Sequence, residues 1–153
     1  MIRPGDRAPQ FRLATLDGGE AGLPEIVSGA PALAAFFKVS CPVCQLMFPH
    51  LERIWASGAL PVWGVSQNPA ADTLQFNREY GVTFPTLLDP ERRFPASNAF
   101  GISTVPTIFL IERDGTVSRV VEGWVRKEVQ SLGAMAGVNP FREGVNVPEW
   151  KAG

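Results

Sequence analysis

Apolar and polar residues change their period along this chain, and each change marks an element. Phe11-Arg12-Leu13-Ala14-Thr15-Leu16 alternates with a period of two and then meets Asp17-Gly18-Gly19. That pattern predicts a short strand entering a turn, a small hairpin at a sheet edge. Ala32-Leu33-Ala34-Ala35-Phe36-Phe37 is unbroken apolar sequence of strand length. A central strand covered on both faces reads this way. Met47, Leu51, Ile54 and Trp55 then recur at helical spacing, with Pro49 as a predicted kink and Gly58 as the stop.

Residues 61–66 predict the next strand. Asn68-Pro69 predicts an N-cap followed by proline at the first helical position, and the helix runs to about Tyr80 with Gly81 ending it. Residues 83–88 read as a short extended piece, and 91–100 as irregular or partly helical. Thr107-Ile108-Phe109-Leu110-Ile111 is a second buried strand, and Asp114-Gly115 turns it into a partner at 117–122. Val125, Val129, Leu132 and Ala136 repeat at helical spacing up to Gly137. The early crossovers require parallel pairing and the Asp114-Gly115 hairpin antiparallel pairing. An α/β domain over 1–137, with a mixed sheet and helices on both faces, satisfies both. The tail, 138–153, carries Pro140 and Pro148 and no periodicity. It is expected as an extended arm, packed on the domain or frayed.

Composition narrows the function classes. The chain has 153 residues, 45% hydrophobic and 19% charged, which is the make-up of one globular domain. Fourteen Lys+Arg against fifteen Asp+Glu leave a formal charge of -1. Neither a nucleic-acid binder nor a polybasic membrane anchor is expected from that balance. No apolar run approaches the ~18 residues of a membrane span. The start, Met1 to Pro9, lacks the apolar segment of an export signal. A cytoplasmic location is the default expectation; a mature or shortened exported protein, periplasmic or extracytoplasmic, would read the same. Two cysteines and one histidine, His50, make no disulfide scaffold and no four-ligand zinc site without carboxylates. No metal and no cofactor are expected.

The two cysteines fall as Cys41-Pro42-Val43-Cys44, directly after a buried strand and at the start of a helix. Residues i and i+3 share one side of a first turn, so the sulfurs can meet. The first thiol lies where the positive end of the helix and free N–H groups stabilise a thiolate. Pro42 suits the first turn, where its missing N–H has no partner to lose. Cys44, one turn inward, should be more buried. Cys41 is therefore read as the nucleophile and Cys44 as the resolving thiol. The plainer alternative is a pair of inert buried thiols. His50 lies six residues past Cys44, on roughly the opposite helix face, and is expected as a solvated surface residue.

Phe36-Phe37-Lys38-Val39-Ser40-Cys41-Pro42-Val43-Cys44, with Thr104-Val105-Pro106-Thr107 far downstream, resembles the thioredoxin-fold family. Pro4-Gly5-Asp6-Arg7-Ala8-Pro9-Gln10-Phe11 and Phe84-Pro85-Thr86-Leu87-Leu88-Asp89 are similar to its redoxin branch, the AhpC/TSA and TlpA-like proteins. The resemblance implies a thioredoxin-like fold with an N-terminal hairpin and an insert before the second motif. It also implies a thiol–disulfide oxidoreductase acting through Cys41 and Cys44. Pro106 would be cis and lie against the pair, and the backbone of Val105 would bind the substrate chain as an added strand. A trans proline opening a strand is the plainer reading.

Other residues support or complicate this picture. Lys38, three before Cys41, could place positive charge beside the thiolate or simply end a strand in solvent. Pro42 and Val43 fill the turn between the thiols. Ser40 stands where many relatives carry tryptophan. Gln67 ends the neighbouring strand on the same sheet edge and could hydrogen-bond near the site, although a helix-cap loop is the expected account. No acid occurs in Ala32–Phe37 or after Cys44 before Glu52, so proton transfer during resolution falls to water or to a group the fold brings in. A thiol peroxidase is the competing enzyme. Its Pro-x-x-x-Thr-x-x-Cys frame is missing, because those positions hold Phe37 and Cys41 counted from Cys44, and Ala34 and Lys38 counted from Cys41. A binding module using Trp63, Trp124 and Trp150 is the third reading. The partners expected are a disulfide-containing protein or small thiol substrate and an upstream thiol reductant or oxidant.

Overall fold

The apolar run Ala32–Phe37 forms the strand at the centre of the molecule, and all six of its residues are fully buried. Alternate side chains leave a strand on opposite faces. Leu33, Ala35 and Phe37 accordingly enter one core while Ala32, Ala34 and Phe36 enter another. This computed structural model describes residues 1–153.

In chain order the elements are β1 (Arg12–Thr15), β2 (Glu20–Gly22), α1 (Leu23–Ile26), β3 (Ala32–Phe37), α2 (Pro42–Ala56), β4 (Val62–Ser66) and α3 (Ala70–Tyr80). They continue with β5 (Thr86–Leu88), α4 (Pro95–Phe100), β6 (Thr107–Ile111), β7 (Val117–Glu122), β8 (Trp124–Val125), α5 (Arg126–Met135) and β9 (Trp150–Lys151). Seven strands form one mixed sheet in the order β2-β1-β5-β4-β3-β6-β7. Strand β3 pairs parallel with β4 and antiparallel with β6, so a crossover and a return meet at the strand that leads into the cysteines. The β6–β7 hairpin turns at Gly115, whose φ of 88° is backbone that glycine adopts without strain. The architecture is α/β, a mixed sheet with helices packed on it, and no helix is long and apolar enough to cross a membrane.

Aromatic rings fill both faces. Phe37, Phe48 and Phe76 pack with ring centroids 4.3–5.5 Å apart on the α2 side, and Gly64 leaves the room that Phe37 and Phe84 occupy. On the other side Phe36, Phe100 and Phe109 lie 4.8–5.7 Å apart.

Several local expectations need correction. Helix α3 starts at Ala70, and Asn68 does not cap it. Its Oδ1 instead accepts from the N–H of Val39, 29 residues earlier. Helix α2 holds Pro49 inside it and runs on to Ala56, as the single helix expected. Helix α1 has no counterpart in the pattern reading, because four residues are too few to display a period.

The largest correction is His50. It is 9% exposed rather than solvated, and its Nδ1 lies 3.0 Å from the carbonyl of Pro140. Its ring packs against Trp124 and Phe141. Pro140 and Phe141 come from the residues after α5, and Trp124 from β8 just before it. Pro140 sits on Gly133, where a Cβ would lie 2.4 Å from the proline ring. Trp124 Nε1 donates to the carbonyl of Pro148 at 2.6 Å, and β9 pairs antiparallel with β8. The segment 138–153 is thereby drawn across the α2–α5 face.

Candidate functional site

Strand β3 ends at Phe37, and the chain turns through Lys38-Val39-Ser40 into α2. Two glutamine and asparagine side chains hold this turn. Asn68 receives the N–H of Val39, and Gln45 Nε2 donates to the carbonyl of Val39 at 3.0 Å. The N–H of Gln67 donates to the carbonyl of Phe37, which extends the β3–β4 pairing by one bond. The cysteine loop is therefore anchored from the strand beside it and from the helix after it.

Cys41 occupies the N-cap position of α2, half-buried, and its sulfur accepts from the N–H of Cys44 at 3.3 Å. An orphan donor of the first helical turn thus points at the sulfur. The Cys41 thiol donates to the carbonyl of Val105 at 3.5 Å. Cys44 is fully buried, and both thiols are free. Burial, and next the hydrogen bond with Cys41, hold the Cys44 thiol well above the ordinary thiol range. One sulfur is open and served by a donor; the other is sealed.

The Val105–Pro106 peptide is cis, with Pro106 buried and Val105 half-buried. Neither the N–H nor the C=O of Val105 joins the backbone hydrogen-bond network. Pro42 is exposed and Val43 half-buried at the first turn of α2. Lys38 is exposed and lines a cleft of about 320 Å³ together with Cys41, Gln67, Thr104 and Val105. Six of the seven residues singled out in the sequence thus gather around the α2 start and the cis bond. Cys44 lies behind them, one turn inside.

Three features in and behind the cleft add to the sequence analysis, which offered Gln67 near the site as one of two accounts. Gln67 is nine-tenths buried and bonded to Ser97, where the sequence suggested a helix-cap loop. A buried carboxylate, Asp89, stands behind Ser97. Gly153 forms one wall of the cleft, close enough to Val105 that a Cβ there would lie 2.5 Å from its carbonyl oxygen. The position of Gln67 at a strand end beside β3 is the one signal that pointed this way.

No group of three or more His, Cys, Asp or Glu side chains converges in a way that could hold a metal ion. A larger cavity of about 560 Å³, with Trp63, Asn77 and Phe84 in its wall, lies towards the start of β4 and β5. It is remote from the cysteines, which follow the end of the parallel strand β3. An arrangement of one accessible thiol, one sealed thiol and a stretch of backbone outside the sheet ladder suits two-electron exchange with a disulfide.

Comparison with known proteins agrees with that chemistry. The model of the AhpC/TSA family matches residues 4–120. The thiol-disulfide oxidoreductase ResA of Geobacillus thermodenitrificans is 29% identical over 131 residues, covering 83% of this chain and 74% of its own. Among solved structures, a thio-disulfide isomerase from Thermus thermophilus superposes with a TM-score of 0.69 at 27% identity, covering 90% of this chain and 99% of that one. The thioredoxin domain of a thiol-disulfide oxidoreductase from Bacteroides vulgatus gives a TM-score of 0.74 at 19% identity, with 81% and 91% covered, a likeness of fold.

Proposed function

Because the chain belongs to the AhpC/TSA family, we propose that its thiol–disulfide oxidoreductase activity is carried by Cys41 as nucleophile and Cys44 as resolving thiol. The observation that carries this assignment is the asymmetry of the pair: Cys41 reaches the cleft and accepts the Cys44 N–H, whereas Cys44 is shut in.

The reaction follows from that asymmetry. The Cys41 thiolate attacks one sulfur of a substrate disulfide, a Cys41–substrate bond forms, and the other substrate sulfur leaves as a thiolate. Cys44 then gives up its proton and attacks Cys41. A Cys41–Cys44 disulfide results, and the second substrate thiolate leaves. Two electrons pass from the pair to the substrate, and an external dithiol returns them. Run backwards, the same steps oxidise a dithiol. Burial keeps Cys44 from reacting with solvent species, so it acts once Cys41 has brought a sulfur to it. Pro42 and Val43 fix the turn between the two sulfurs, and Lys38 adds a positive charge at the mouth of the cleft. Val105, whose N–H is free and whose carbonyl is met only by the Cys41 thiol, and Pro106 would take an extended substrate segment by strand addition.

The test is a trapping experiment. Cys44→Ser should accumulate a stable mixed disulfide through Cys41 when offered a disulfide-bonded polypeptide such as insulin. Trapping through Cys44 in Cys41→Ser would reverse the assignment. Consumption of hydrogen peroxide at a rate matching insulin reduction would move the protein to the peroxidase class.

A further inference from the structure

Gln67 is held in one orientation by groups that disulfide exchange does not itself require. Asp89, 1% exposed, accepts from the N–H of Ala96 at 3.0 Å and from the N–H and the hydroxyl of Ser97 at 2.8 and 2.6 Å. The hydroxyl proton of Ser97 is thereby committed to a carboxylate. Its oxygen is left to accept, and Gln67 Nε2 donates to it at 2.9 Å. This chain of bonds settles which end of the carboxamide faces inward, because a carbonyl oxygen in the same place would meet only lone pairs.

The nitrogen end of Gln67 is therefore used up and the oxygen end is left over. Gln67 Oε1 accepts no hydrogen bond within the chain, yet it is not sealed away, since Asn77 Oδ1 is the one buried side-chain polar atom without a partner. Gln67 lines the cleft that also contains Cys41 and Val105. A fixed neutral acceptor next to an unpaired backbone segment matches the main chain of a peptide, which offers N–H donors at regular spacing whatever its side chains.

We propose that Gln67 is a substrate-binding residue whose Oε1 accepts a main-chain N–H of a disulfide-bearing polypeptide lying beside Cys41. Ser97 and Asp89 are positioning residues that act through it. The proposal rests on the oxidoreductase reading above and adds that the substrate class is polypeptide rather than small disulfide.

The experiment compares two disulfides under steady state with a dithiol as terminal reductant: a peptide closed by one disulfide, and bis(2-hydroxyethyl) disulfide, which has no amide. Gln67→Leu should raise KM for the peptide about fivefold, the worth of one hydrogen bond, with kcat and the small-disulfide rate unchanged. Ser97→Ala, which frees the carboxamide to rotate, should raise the peptide KM by a smaller factor, and Ser97→Thr should restore it. Should Gln67→Leu fail to fold, Gln67→Asn withdraws the oxygen by one methylene and carries the same expectation. An unchanged peptide KM overturns the proposal, as does an equal loss on both substrates, which would mark a structural role. A wild-type protein that turns over neither disulfide would instead overturn the oxidoreductase reading and this proposal with it.

Discussion

Helix α2 carries two side chains able to do chemistry near neutral pH, Cys41 ahead of its first turn and His50 near its middle, and the fold treats them in opposite ways. Cys41 is half-buried, receives a donor from the helix backbone and faces a cleft whose neighbouring main chain makes no backbone pairing. His50 is enclosed by Trp124 and Phe141. Its Nδ1 lies on the Pro140 carbonyl, and a carbonyl can only accept, so that nitrogen carries the proton. Reactivity here follows from what is left unsatisfied around a group rather than from the identity of the group. A histidine with its neighbours closed around it is a fastener; a thiol with open neighbours is a reagent.

Removing each side chain should separate these roles. The largest effect is expected for Cys41→Ser, which should reduce disulfide exchange to the uncatalysed background while leaving thermal unfolding unchanged, as read by a coupled thiol assay and calorimetry. A residual catalysed rate would transfer the nucleophile to Cys44. His50→Ala should do the reverse. It opens a cavity under the tail and strands a carbonyl, costing about 3 kcal/mol in denaturant unfolding, with the small-disulfide rate unaffected in the folded protein. Loss of that rate in a folded variant would make His50 part of the chemistry.

The smallest effect is in pH. Burial holds the His50 pKa below its ordinary value. Between the ordinary value, about 6.5, and the lower folded one, the unfolded chain binds a proton that the native chain refuses. This contribution to stability is therefore whole above about pH 6.5 and is lost as pH falls from there through the folded value, at about 1.4 kcal/mol per unit of separation. Denaturant melts across this interval should show the slope in the wild type and a flatter one in His50→Gln. Equal slopes would mean that His50 is as solvated as the helix pattern suggested.

What could be read in advance follows the same division. The strand β3, the turn of Cys41 and Cys44 and the start of α2 are local, and a six-residue apolar run followed by a helical period announces them. Val105 lies 64 residues from Cys41 with Pro106 next to it, and a motif rather than a period points to them. The burial of His50 escapes a helical wheel, which sees one helix, because its partner Pro140 lies 90 residues on, in a tail with no period. The Gln67 anchor was hidden for a similar reason. Asp89 caps α4 across Phe94, whose φ of 42° gives the helix an entry that no side-chain capping pattern would suggest. Tertiary partners decide the fate of single polar residues, and patterns decide elements.

Gly153 has a practical consequence. Its contact with Val105 makes it a wall of the cysteine cleft, so any polypeptide joined after it begins at the place where a protein substrate would enter. Any chain that continues from Gly153, natural or fused, would compete for the opening and slow the handling of proteins more than that of small disulfides. Immobilisation near Gly153 would turn Cys41 towards the support, which makes the choice of attachment point a variable in any sensor or electrode built from this domain.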